Sequence, residues 1–418
     1  MAKEMERQGF NLPLLIGGAT TSKLHTAVKI APCYRNPVVY VPDASRVSPV
    51  LNNLLNPNTR HEFASQIKVD YEKIRQQYQS SQQKLLTIEE SRKRAPKLDY
   101  SDIPRPAFIG LKRLTTDPRN AGSNSIKITI SELAQYIDWS PFFHAWEMRG
   151  RYPTIFENEK YGKEAKKLFD DACLMLRQIE EQNLIIAKGV YGFFPANTVG
   201  DDIVVYTDEN KSQILCKFYF LRQQMEKPQD QPNMCLADFV APQTSGLIDY
   251  IGAFAVTAGH GVKELVEKFK AEHDDYKAIL IEALADRLAE AFAEYLHKRA
   301  RADWGYGKGE NLTNDDLVKE KYRGIRPAFG YPACPDHSEK FTLWNLLDVE
   351  KNAEIKLTPS AAMLPAASVS GLYFAHPQAK YFAIGKIGKD QLIDYHKRKG
   401  LPLEEIERWL APVIKEEK

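Results

Sequence analysis

Along residues 274–300 the apolar positions Leu280, Leu284, Leu288, Phe292 and Leu296 recur every fourth residue, a spacing that predicts one long helix with a single apolar face. The pattern changes elsewhere. IVVY (203–206), ILCKFYF (214–220), IGAFAVTAG (251–259), SVSGLYF (368–374) and YFAIGKI (381–387) are short runs rich in β-branched and aromatic residues, which predicts strands. Thr129 and Glu132 have capping-box spacing, so a helix is expected to start there and run toward Asp138.

Residues 11–43 follow another grammar. PLLIGG is a buried-strand pattern that stops on Gly17 and Gly18, TTSKLHTAVKI is helix-permissive, and NPVVYV is a second strand run. Strand, turn, helix and strand in that order belong to a doubly wound α/β layer, but only about fifty residues carry it, too few for a sheet covered on both faces. From Asn52 to about Ser91 the chain turns polar and helix-permissive, which suits a solvated helical connector.

Composition narrows the function classes. With 418 residues, 43% apolar and 27% charged, the chain has material for a large core and is no disordered tail. Basic and acidic residues number 57 and 55, a formal charge of only +2, so no polyanion partner is expected. The cluster Arg92, Lys93, Arg94 and Lys97 lies between glutamates and a proline, and a solvated helix end explains it better than nucleic acid. Five scattered cysteines without a CxxC pair suggest a reduced, cytoplasmic setting. The charged start MAKEMERQGF is unlike a signal peptide, and no window approaches the roughly 18 apolar residues of a membrane span.

Four segments carry candidate chemistry. The turn Gly17–Ser22 between a strand and a helix can bring backbone amides to a phosphate or polar cofactor tail, or be a tight structural turn; it lacks the GxGxxG register. Asp138, followed by Trp139, Pro141, Phe142 and Phe143, can accept from a ligand amine beside an aromatic wall, or simply end a helix whose rings fill core. In Arg326–His337, three prolines and a glycine hold an extended path that can present Arg326 to a carboxylate. Cys334, Asp336 and His337 do not complete a zinc set, and no general base supports a thiol nucleophile, so neither a metal site nor a catalytic residue is expected. Tyr381 and Phe382 can cap a nucleoside or alternate between core and surface.

Taken together, PLLIGGATTSKLHTAVKI, VYVPDASR, YIDWSPFFHAWEMRGRYP, ALADRLAEAFAEYLH, GIRPAFGYPACPDH and ASVSGLYFAHPQAKYF stand in the order found in cobalamin-dependent methionine synthases. The chain resembles the C-terminal part of that family over essentially its whole length. The resemblance implies an α+β fold: a large activation domain at 98–418 with a twisted, mainly antiparallel sheet and surrounding helices, a helical linker at 56–97, and an incomplete Rossmann-like cobalamin-domain remnant at 1–55. It implies S-adenosylmethionine as ligand, with Asp138 on its amino group, Arg326 on its carboxylate, Ala328, Gly330 and Tyr331 along the cofactor, and Tyr381 and Phe382 completing the pocket. Ala44 and the GGATTS turn would lie near the cobalamin nucleotide tail.

The implied role is reactivation within methionine biosynthesis: a flavodoxin or flavodoxin-like reductase returns inert cob(II)alamin to cob(I)alamin, and S-adenosylmethionine supplies the methyl group. The family's Asp-x-His-x-x-Gly motif, whose histidine ligates cobalt, does not precede PLLIGG, and the barrels for homocysteine and methyltetrahydrofolate are not in this sequence. The chain is therefore expected to need a separate cobalamin-binding domain for the full methyltransferase cycle. A non-catalytic S-adenosylmethionine-binding subunit that docks on a cobalamin protein or flavodoxin, and a stand-alone methyltransferase with another acceptor, are the alternatives; no glycine-rich methyltransferase motif supports the last.

Overall fold

The computed structural model describes residues 2–17, 21–42, 47–80, 84–119, 125–313, 316–317 and 319–415, and the chain separates into two compact units, Met1–Lys84 and Leu85–Lys418. The boundary falls inside the segment 56–97 expected to connect two domains. Ala44 and residues 18–20 of the glycine turn lie outside the described residues. Among the described residues no helix is long and apolar enough to cross a membrane.

In the first unit, strands β1 (Leu14–Ile16) and β2 (Val38–Tyr40) pair in parallel, Leu14 opposite Val38, with helical turns over Lys23–Cys33 between them. Parallel neighbours require a crossover, and the TTSKLHTAVKI stretch provides it. Helices Val47–Leu55 and Arg60–Ser80 follow, the second anchored where the Tyr71 hydroxyl accepts the Tyr40 N–H at 2.8 Å.

The second unit is built on a seven-stranded sheet. Its strands are β3 (Gly110–Thr115), β4 (Ser125–Lys127), β5 (Ile186–Val199), β6 (Asp202–Tyr206), β7 (Ile214–Tyr219) and β8 (Asp249–His260), then β11 (Ser368–Tyr373), with a two-residue ribbon of β9 (Lys356–Leu357) and β10 (Met363–Leu364) outside it. The order is β11-β8-β5-β3-β4, with β6 on β5 and β7 on β6; every pairing is antiparallel except β3 with β4. The α+β architecture expected from the resemblance is the one observed.

β5 and β8 are buried almost end to end, yet their side chains still alternate. On β8, Tyr250, Phe254, Val256 and Ala258 enter one core while Ile251, Ala253 and Ala255 enter another; on β5, Tyr191 and Phe193 oppose Val190, Phe194 and Ala196 in the same way. A central sheet covered on both faces reads as continuous apolar sequence for this reason. The first core is closed by helices Gly162–Gln182 and Asp275–Trp304, where Leu280, Leu284, Leu288, Phe292 and Leu296 are all buried as their spacing predicts. The second core is closed by the 325–334 loop and helix Glu339–Leu347.

Two local expectations change. The capping box of Thr129 and Glu132 is present, but its helix ends at Ala134, and a new helix, Ser140–Ala145, opens at Pro141. Asp138 therefore sits in the turn between them, because a proline at a helix start favours a fresh first turn. YFAIGKI forms no strand: Gly385 has a left-handed φ of +74°, and only Ile387 makes a bridge, to Ile414.

Candidate functional site

Edge strand β11 receives the proline-rich loop. Ile325 and Phe374 exchange backbone hydrogen bonds, and Leu372 donates to the Pro327 carbonyl at 3.0 Å. This approach needs a glycine at 371, since a Cβ there would lie 2.6 Å from the Pro327 oxygen. The loop then closes on itself: Gly330 donates to Cys334 at 2.8 Å and Cys334 to Tyr331 at 3.0 Å. Gly330 has φ +95°, and a side chain there would collide with the His337 ring, so residue type and turn are locked together. The Cys334 thiol donates to the Ala328 carbonyl at 3.0 Å, and burial pushes its pKa up, which suits a structural rather than a reactive thiol.

Between this loop, β11 and the 381–382 segment lies a cavity of about 560 Å³. Arg326, Ala328, Tyr331, Tyr381 and Phe382 all line it, with Ser368–Ser370 of β11, Glu290 and Glu320 on its other walls. Tyr331 and Tyr381 are exposed rings at 64% and 41%, and Ile384 donates to the Pro332 carbonyl at 2.8 Å, tying the two ring-bearing segments together. The size and mix of aromatic and polar walls suit a drug-sized organic ligand.

Arg326 is held tightly. Its Nη1 donates to His297 Nδ1 at 3.1 Å and to the Tyr322 hydroxyl at 2.8 Å, its Nη2 pairs with Glu294, and its backbone N–H donates to the Tyr381 hydroxyl at 3.0 Å. Burial works against the guanidinium charge, but Glu294, Tyr322 and Tyr381 together more than offset it and the pKa stands above its ordinary value. Burial conversely raises Glu294, with Arg326 opposing, and holds His297 well below the usual imidazole range.

The structure does not bring every expected residue to this cavity. Gly330 shapes the loop but is not on the wall, and Asp138 is exposed in its turn, where it accepts the Ser140 N–H at 3.0 Å. Trp139, Phe142 and Phe143 are core residues, so the aromatic run after Asp138 fills the interior. The Asp138 turn shares a support with Arg326: Tyr136 packs edge-on against Tyr295 of helix Asp275–Trp304, the helix that supplies Glu294 and His297. Asp336 is engaged by Ser338, Tyr395 and Lys399, and among the described residues no group of three or more His, Cys, Asp or Glu is arranged to hold a metal.

Reading motifs alone missed Glu290, Glu294 and His297. A signal was available, since Glu290, Glu294, His297 and Arg301 recur at i, i+4, i+7 and i+11 as a polar row beside the apolar stripe.

Residues 129–400 match the family described as vitamin B12 dependent methionine synthase, activation domain. A solved structure described as the MetH reactivation domain bound to AdoHcy is similar to this chain at 48% identity and a TM-score of 0.75, covering 80% of this chain and 99% of that one.

Proposed function

The chain belongs to the vitamin B12 dependent methionine synthase activation-domain family, and on that premise we propose that its cavity binds S-adenosylmethionine and presents the methyl group to cobalamin on a cobalamin-binding domain. Arg326 takes the ligand carboxylate, Ala328, Tyr331, Tyr381 and Phe382 frame the adenosine, Gly330 sets the turn that presents them, and Asp138, exposed outside the cavity wall, meets the amino group where the ligand extends beyond it. The observation that carries this reading is the guanidinium of Arg326 on the cavity wall: its described hydrogen bonds use both Nη1 hydrogens and one on Nη2, leaving Nε–H and one Nη2–H for a carboxylate. The similar structure bound to AdoHcy, which differs from S-adenosylmethionine by the methyl group, supports the ligand class.

The chemistry asks for alignment rather than for an acid or base. A sulfonium already carries a good leaving group, so the protein's task is to hold the methyl carbon on line and keep water away. Cobalamin, when bound, supplies the nucleophilic metal that takes the methyl group. Arg326 fixes the amino-acid end through charged hydrogen bonds worth on the order of 2 kcal/mol each when shielded, and the exposed Asp138 adds a weaker, solvent-screened contact. Glu290 and Glu320 share the wall with Arg326 and Lys340, so acids and bases are balanced there and the two carboxylates can face a cationic sulfonium while Arg326 faces the carboxylate. In the same reading residues 98–418 form the ligand-binding module, 56–97 the connector, and 1–55 with Ala44 the cobalamin side, and a flavodoxin-type protein supplies the electron.

The test is transfer of labelled methyl from S-adenosylmethionine to the cobalamin of a separately prepared cobalamin-binding domain under reducing conditions. Transfer that depends on this chain is expected. Equal transfer without it would overturn the proposal.

A further inference from the structure

His297 is fully buried on helix Asp275–Trp304, stacked on Tyr373 with centroids 4.9 Å apart and an interplanar angle of 8°. Arg326 has donors only, so the 3.1 Å contact from its Nη1 requires Nδ1 to be the acceptor and places the imidazole proton on Nε2. That Nε2–H is buried without a partner among the described residues. A phenylalanine would fill the same stack and strand no polar atom, whereas an orphaned donor costs about 1–3 kcal/mol. The residue is therefore useful for its Nδ1 lone pair. Tyr322 packs edge-on against the same ring at 4.9 Å and accepts the other Nη1 hydrogen, while Glu294 takes one Nη2 hydrogen.

Resting on the reading of Arg326 as the carboxylate contact, we propose that His297 and Tyr322 are positioning residues for that contact: by occupying both Nη1 hydrogens they fix the guanidinium rotation so that its Nε/Nη2 edge faces the ligand. Neither residue lines the cavity. Their effect is thus specific to the amino-acid carboxylate and leaves recognition of the adenosine untouched.

The experiment titrates the 418-residue chain with S-adenosylhomocysteine and with its decarboxylated analogue. His297→Phe keeps the stack and removes the acceptor, His297→Asn restores an acceptor near the Nδ1 position, and Tyr322→Phe removes the second acceptor without touching the core. His297→Phe and Tyr322→Phe are each expected to weaken S-adenosylhomocysteine by roughly tenfold, the scale of one hydrogen bond to a charged group, with the decarboxylated analogue unchanged and His297→Asn recovering part of the loss. Equal losses on both ligands, or no loss on either, would overturn the positioning role. Arg326→Ala separates the two layers. If it discriminates between the ligands while His297→Phe and Tyr322→Phe do not, only this proposal fails; if it does not discriminate, the carboxylate contact itself is wrong. Should His297→Phe fail to fold, Tyr322→Phe decides the question alone.

Discussion

Lys399, on the helix Lys389–Lys399, donates to Asp336 at 2.6 Å and to Glu339 at 2.5 Å, and all three side chains are buried. Asp336 directly follows the proline-rich loop, so this amine fastens the end of the ligand loop to the C-terminal layer. Tyr395 from the same helix adds a 2.7 Å bond to Asp336. Burial alone would neutralise such acids: it raises Glu339 to about 7 even with Lys399 opposing.

Removing one partner from a buried ion cluster leaves charge stranded, which typically costs about 3–5 kcal/mol. Lys399→Met is expected to lower stability by that amount, read from the urea midpoint, and Lys399→Arg by much less. A Lys399→Met variant within about 1 kcal/mol of the wild type, the scale of an exposed pair, would show that the cluster is not a structural clamp.

Gly371 makes the close approach of β11 and the loop possible. Gly371→Ala would push a methyl group to 2.6 Å from the Pro327 oxygen, and the bond from Leu372 to that oxygen would have to lengthen. Overpacking of this kind costs about 1–3 kcal/mol. Because the displaced segment carries Arg326, ligand affinity should fall along with the denaturation midpoint, measured on the same preparation. Unchanged affinity would mean that the loop position is set elsewhere.

Asp249 governs part of the pH dependence. It accepts the N–H groups of Ala241 at 2.8 Å and Tyr250 at 2.7 Å, and burial raises its pKa to about 6 against those bonds and the charge of Arg323. Between roughly pH 4 and 6 the unfolded carboxyl has lost its proton while the folded one keeps it, so this group lowers stability as pH rises through that window. Thermal melts of wild type and Asp249→Asn across pH 4 to 7 should show the wild-type curve falling relative to the variant from 4 to 6 and running parallel above. Parallel curves throughout would refute the raised pKa.

Local patterns in this chain were legible from sequence. The apolar stripe from Leu280 to Leu296, the Thr129 capping box and the strand runs within β6, β7, β8 and β11 appear where spacing placed them, because each depends on neighbours a few residues away. YFAIGKI has strand composition, but its backbone hydrogen bonds are made with Pro332, Val413 and Lys415 rather than with a strand of the sheet. The aromatics after Asp138 illustrate another limit: whether a ring faces core or ligand depends on what packs over it, here helix Asp275–Trp304. Site residues divide the same way. Arg326 and its loop stand out through proline and glycine restriction, whereas the partners that set its orientation, Glu294 and His297, are 32 and 29 residues away and become neighbours only in the fold.

The central claim is that Arg326 anchors the carboxylate of S-adenosylmethionine in the cavity beside β11. Isothermal titration of S-adenosylmethionine into the wild type and into Arg326→Ala tests it most directly. We expect a single site in the wild type and an affinity at least about tenfold weaker in the variant, the loss of one charged hydrogen-bonding contact, with circular dichroism confirming that the variant is folded. Equal affinity in the two proteins, or no binding to the wild type, would contradict the account.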